Sequence, residues 1–175
     1  MPLKIFITVF ILTICQGIVL SSVVPDNYDA KKPAIIKDIL EHIPISKNII
    51  YTAVPRGIIL SVAQSELFDY EQRSLSSNGI ILLSLIARML NEFDNKCTIE
   101  VHTSEVKYMG SDWEESIILA NVIAEYLHKN FRVDSDRLFP IGFGSVSPFK
   151  DNVSSTVAFP DNRIDFVIFD YTVSR

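Results

Sequence analysis

The chain has 175 residues, 48% of them apolar and 21% charged, which suits one domain with an appendage and excludes a mainly disordered polypeptide. Sixteen Lys and Arg stand against 21 Asp and Glu, a net charge of −5 with a pI near 5.2, so no basic excess is available to attract nucleic-acid phosphates. Two distant cysteines, without a Cys-x-x-Cys pair or a His-rich neighbour, argue against a structural zinc site.

From Leu3 to Val24 a single charge, Lys4, precedes an apolar run over Ile5 to Ile14 and two small residues, Ser21 and Ser22. This is the pattern of an export signal. Three fates are open to it: cleavage near Ser21 or Ser22, retention as a membrane anchor, or lipidation at Cys15. Retention is compatible with the length, since about 20 residues cross a bilayer and Gln16 is the one strongly polar interruption. Lipidation is disfavoured by the bulk of Ile14 before the Cys. Residues 1–22 are therefore expected to be a signal peptide or anchor, 23–47 a tether and short helix, and 48–175 the folded domain. Cleavage would leave Cys97 as the one thiol, in an alternating stretch where it reads as a small core hydrophobe.

Along the remaining chain, Ala34 to Ile43 places Ile35, Ile36, Ile39 and Leu40 on one helical stripe. Asn48 to Val54 and Gly57 to Val62 are β-branched runs about Pro55-Arg56, a hairpin signal. Leu75 to Phe93 reads as a helix so apolar that it must lie on a sheet, and Thr98 to His102 as a strand. Asp112 with Glu115 has capping-box spacing, and Ser116, Ala120, Ile123 and Leu127 carry that helix to about Lys129. Arg137 to Phe143 has sheet character, Gly144 to Pro160 is a Ser-, Pro- and Asn-rich loop, and Arg163 to Tyr171 alternates Ile164, Phe166 and Ile168 with Asp165, Val167 and Phe169. The fold class expected is α/β: a two-layer sandwich with helices on one face of a mixed sheet.

The ordered pieces Leu67-Phe68-Asp69, Val101-His102-Thr103, Ser111 to Ser116, Ala120 with Ile123 and Tyr126-Leu127, Arg137-Leu138, Gly142-Phe143-Gly144 with Pro148, and Asp161-Asn162-Arg163-Ile164 resemble the OmpA-like domain. That is the peptidoglycan-associated module of outer-membrane porins, peptidoglycan-associated lipoproteins and the flagellar stator protein MotB. Trp113 and the closing run from Asn162 to Ile168 look most like the MotB branch. The resemblance implies a non-catalytic periplasmic module of a bacterial cell envelope with no cofactor, whose groove takes the peptidoglycan peptide stem. It also implies that an Asp after the His-Thr pair grips the ammonium of diaminopimelate, while an Arg on the next helix grips its carboxylate. Such a zwitterion clamp needs charge-assisted bonds at both ends. Here Ser104 and Leu119 stand at those two positions.

By the same resemblance the groove residues are His102, Thr103, Ser104, Asp112, Trp113, Leu119, Asn162 and Arg163, with Glu105, Lys107, Asp112 or Arg163 open as substitutes for the missing charges. Against these stand plainer readings. His102 has no accompanying nucleophile and reads as structural rather than catalytic; Asp112 and Glu115 are explained by a cap rather than a metal. Gly142-Phe143-Gly144 lacks the further Gly and Lys of a phosphate loop and reads as a strand-ending turn. Trp113 reads first as packing, and Arg163 equally as an ion-pair partner. No acid lies between Leu3 and Val24, which disfavours stator proton conduction. Two functions remain: a wall-binding module with weak or lost stem recognition, or a protein-interaction subunit of a secretion or motor-like envelope assembly. Expected partners are the peptide stem, envelope proteins, a membrane through the amino-terminal segment and a second copy in a homodimer, with no nucleic acid.

Overall fold

The computed structural model describes residues 32–69, 74–103, 111–146 and 160–169. The amino-terminal apolar segment lies outside them, as do Ser104, Glu105, Lys107, Pro148 and the last two residues of the expected final strand. Among the described residues, no helix is long and apolar enough to cross a membrane.

The elements run α1 (Lys32–His42), β1 (Ile49–Val54), β2 (Gly57–Ala63), a single-turn α2 (Gln64–Leu67), β3 (Phe68–Asp69), β4 (Ser74–Leu75), α3 (Ser77–Phe93), β5 (Cys97–His102), α4 (Asp112–Phe131), a 3-10 turn at Ser135–Arg137, β6 (Leu138–Gly144) and β7 (Arg163–Phe169). The α2 turn and the two-residue β3–β4 ladder were not foreseen, because elements this short carry no measurable periodicity. Five strands form one sheet in the order β1-β2-β7-β5-β6, with β5–β6 parallel and the other pairs antiparallel. The parallel pair requires a long crossover, and α4 supplies it.

Register determines which side chains face the helices. Val62, Leu60 and Ile58 of β2 pair with Ile164, Phe166 and Ile168 of β7, which pair in turn with Val101, Ile99 and Cys97 of β5. All nine belong to one buried cluster with Leu83 and Ile86 of α3, Ala120, Ile123 and Leu127 of α4, and Ile35, Ile39 and Ile43 of α1. The fold is thus the mixed two-layer sandwich expected. Helix α1 is bound to the same core, where Arg88 of α3 grips the nearly buried carboxylate of Asp38 with bonds of 2.8 and 3.0 Å. Cys97 is fully buried; desolvation pushes its thiol far above the ordinary range, with the Glu100 charge adding to it and Arg137 opposing. That leaves it inert.

Two helix ends show local chemistry at work. The capping box of α4 is set one residue earlier than expected: Ser111 is the cap and Glu114 its reciprocal partner, while Glu115 is buried. Sequence spacing alone could not choose between two overlapping acid pairs. Helix α3 ends at Asp94 in the left-handed region, φ 56°, and the buried Arg137 guanidinium donates to the Leu90 and Asn95 carbonyls and pairs with Asp94 at 3.3 Å. One side chain thereby ties the end of α3 to the start of β6. Replacing it by Met keeps the stem but strands two buried carbonyls. Arg137→Met should lower unfolding free energy by about 2–4 kcal/mol, read as a shift of the chemical denaturation midpoint at unchanged slope.

Candidate functional site: the groove at the strand and helix ends

Because β5 and β6 are parallel, their carboxy-terminal ends lie together; β7, antiparallel to β5, begins at that same end, and α4 starts where the chain returns after β5. The topology therefore brings His102, Thr103, Asp112, Trp113, Asn162 and Arg163 to one end of the sheet, although they come from three separate stretches of sequence.

The floor is a relay of short hydrogen bonds. The Thr103 amide donates to the Gly144 carbonyl at 3.0 Å and its hydroxyl to the Asp112 carbonyl at 2.7 Å. The Gly144 amide donates to Ser116 Oγ at 3.0 Å, whose hydroxyl donates to the Trp113 carbonyl at 2.8 Å. Asp112 closes the circuit: its carboxylate accepts the Ser145 amide and the Trp113 amide, each at 2.9 Å. Gly144 sits at φ 53°, and a Cβ there would come within 3.1 Å of the Trp113 backbone, so only glycine fits without strain. Gly142 has a different reason, since its Cβ would lie 2.5 Å from Ile117; strand and helix meet there backbone to side chain. Gly-Phe-Gly ends a strand, as read from the sequence, and the structure adds that it packs against α4.

Beneath the relay, on the sheet face opposite the helices, lies a polar cluster. Arg163 Nε donates to Asp165 Oδ2 at 2.9 Å, and His102 Nε2 approaches the same oxygen at 3.3 Å while its ring stacks on Phe143 at 5.0 Å. Burial works to raise the Asp165 carboxyl, but the approach of His102, the Arg163 charge and the Ser61 hydroxyl outweigh it and hold it below the ordinary carboxylate range. The imidazole nitrogens do not meet hydrogen-bond geometry, so the 2.9 Å Arg163 contact is the firm one. His102 is a buried structural neighbour here.

Each expected groove residue except Ser104 thus has a defined place. Trp113 is 56% exposed at the mouth. Asn162 uses its carbonyl to accept the Gln64 amide at 3.0 Å. Leu119 is half-buried and packs on the core cluster, one turn beyond Glu115. Arg163 is buried and committed to Asp165, and Asp112 is committed to Ser145 and Trp113. Ser104 lies outside the described residues. Sequence reading missed Ser116, Ser145 and Asp165. Asp165 was discoverable, because Arg163 and Asp165 are two apart in a strand and must share a face. Among the described residues, no group of three or more His, Cys, Asp or Glu side chains is placed to hold a metal ion.

The fold is a two-layer α/β sandwich with a relay of main-chain and hydroxyl bonds at one end of its sheet. The chain belongs to the OmpA family, whose model matches residues 67–163. It is 29% identical over 118 residues to the uncharacterized protein YtxE of Bacillus subtilis strain 168, a match covering 65% of this chain and 48% of YtxE; the chain spans about half the length of that curated relative. Among solved structures it is similar to a MotB-like protein from Desulfovibrio vulgaris, with TM-score 0.67 and 17% identity over 82% of this chain and 91% of the other. The cell wall anchor of the type VI secretion system from Pseudomonas aeruginosa gives TM-score 0.62 and 17% identity over 81% and 99%. The periplasmic domain of Helicobacter pylori MotB gives 0.58 and 16% over 69% and 81%. At such identities these likenesses speak for the fold.

The Asp112 clasp generates a pH prediction. Hydrogen bonds from Ser145, and then from the Trp113 amide, hold the Asp112 carboxyl below its usual value. A group whose folded pKa is depressed contributes fully above its unfolded value, near 3.9 for a free Asp, and the contribution is lost as pH falls through the lower folded value. The Ser145 amide proton should therefore keep its chemical shift and slow exchange down to about pH 4 and lose both below it. In Asp112→Asn the pH dependence should be absent.

Proposed function

We propose that this chain is a non-catalytic OmpA/MotB-like module of the bacterial cell envelope, derived from a peptidoglycan binder, with diaminopimelate recognition weakened. The observation that carries the reading is the state of the groove's charges: Arg163 is spent on Asp165, Asp112 on Ser145 and Trp113, and the helix position for the carboxylate clamp is the core-packed Leu119. Arg163 and Asp112 each hold a structural bond that fixes where the charge points. Ser104 offers one neutral hydrogen bond where the family has a carboxylate. Two lost charge-assisted contacts at about 1.5–3 kcal/mol each would weaken stem binding by roughly 10² to 10⁴ if additive. The family match and the wall-anchor and MotB neighbours support an envelope role; the groove chemistry supports the loss. Localisation is periplasmic, with the amino-terminal segment as export signal or anchor.

The full chain should bind purified peptidoglycan weakly or not at all in a sedimentation assay. Ser104→Asp with Leu119→Arg together should restore binding by more than the two single changes combined, because one charged end alone leaves the zwitterion half unpaired. Each variant is melted beside the wild type, as Leu119 is half-buried. Wild-type binding equal to that of the double variant would show that other residues supply the charges. If the wall is not bound, a protein-interaction subunit of an envelope assembly is the reading that remains. A periplasm-only reporter fused after Arg175 should be active; activity of a cytoplasm-only reporter there would overturn the localisation.

A further inference from the structure

The sheet has two lateral edges, and they are built differently. Strand β6 carries Pro140 at mid-strand, a residue without an N–H and a common guard against edge pairing. Strand β1, Ile-Ile-Tyr-Thr-Ala-Val, has no charge, proline or glycine, and Thr52 and Ala53 are exposed.

Its ladder with β2 shows which groups face outward. The Ala63 amide donates to the Asn48 carbonyl at 2.8 Å, and the same register continues through Ile50–Ser61, Thr52–Ile59 and Val54–Gly57. Even-numbered residues of β1 therefore exchange bonds with β2, and odd-numbered residues point N–H and C=O away from the sheet. The outward pair of Ile49 is taken up by Ser46 at 2.9 and 3.3 Å. Among the described residues, the outward groups of Tyr51 and Ala53 have no partner.

We propose that a second copy of this chain adds its β1 antiparallel to this edge, about a two-fold axis through Thr52. The free ladder runs from Tyr51 to Ala53, closed at one end by the Ser46 turn and at the other by Pro55. Pro55 has no N–H with which to lengthen the ladder, and a two-fold copy satisfies all four free groups on each side. The side chains also match in this register. Tyr51 meets Ala53 of the second copy, large against small on the helix side; Thr52 meets Thr52 and Ile50 meets Val54 on the other face, pairings that stabilise antiparallel ladders. Asn48 falls opposite Arg56, so no like charges meet. The pairing joins two sheets into one of ten strands, from the 5-stranded sheet of each copy, and leaves both grooves open, because β1 is the edge farthest from β5 and β6. It does not depend on what those grooves bind.

Facing Thr52 side chains in a non-hydrogen-bonded pair stand about 4.5–5.5 Å apart at Cβ, close enough for a disulfide after small adjustment. In the full chain carrying Cys15→Ser, Thr52→Cys should form a linked dimer under mild oxidation, and exposed Asn130→Cys should not. Thr52→Lys and Thr52→Glu chains should each associate at least about tenfold more weakly than wild type, and mixing the two should recover association, as opposite charges then meet. Thr52 is exposed, so circular dichroism should show both charged variants folded; if one is not, the cysteine pair decides. Linking no faster at Thr52→Cys than at Asn130→Cys, or association indifferent to charge at Thr52, overturns the proposal.

Discussion

A carboxylate in the middle of the sheet, bonded by a guanidinium and approached by an imidazole, holds the register on which the rest of this fold depends. Asp165 and Arg163 alternate along β7 with Ile164, Phe166 and Ile168. Slipping β7 by one residue against either neighbour would turn the ion pair into the helix-facing core and take three large apolar side chains out of it to the opposite face. A charge pair of this kind adds little net stability, because desolvation offsets its Coulomb attraction. Its effect is to make the wrong register costly. The strand ends that carry His102 and Arg163 inherit that precision, since the same pairing places them.

Much of the architecture was legible because its elements are long and periodic. The hairpin, α3, β5, α4, β6 and β7 were each located to within about two residues from the spacing of apolar side chains. What periodicity cannot supply is the neighbour of each strand. Nothing local to Arg163–Phe169 says that it inserts between β2 and β5, and the two-face burial of β7 follows from that placement. The α4 cap was misplaced by one residue for a related reason: Asp112, Glu114 and Glu115 all suit a first helical turn, and only the conformation of Ser111 decides among them.

The candidate site was legible as a set of positions and opaque as a set of bonds. His102, Thr103, Asp112, Trp113, Asn162 and Arg163 lie at one end of the sheet. Their sequence identities could not reveal that Asp112 and Arg163 are already engaged. Both look like unassigned charges in a linear reading, and both prove to be structural, one clasping a loop to a helix start and the other locking a strand. Ser116 shows the opposite case: a modest hydroxyl on an apolar helix face turns out to join β6 to α4. Residue type announces what a side chain can do, and its committed partner determines what remains for a ligand.

The position of β7 in chain order has a consequence for biogenesis. Among the described residues every other strand and helix precedes it, yet it occupies the central place in the sheet, between β2 and β5. A chain emerging amino terminus first, from a ribosome or through a translocation pore, can form its hairpin and its helices early. The apolar faces of β2 and β5 must wait until β7 arrives to bridge them. Such a chain stays threadable through a narrow channel for most of its transit and closes into a rigid body only at the end. The same delay leaves two hydrophobic strands uncovered until the last strand is made.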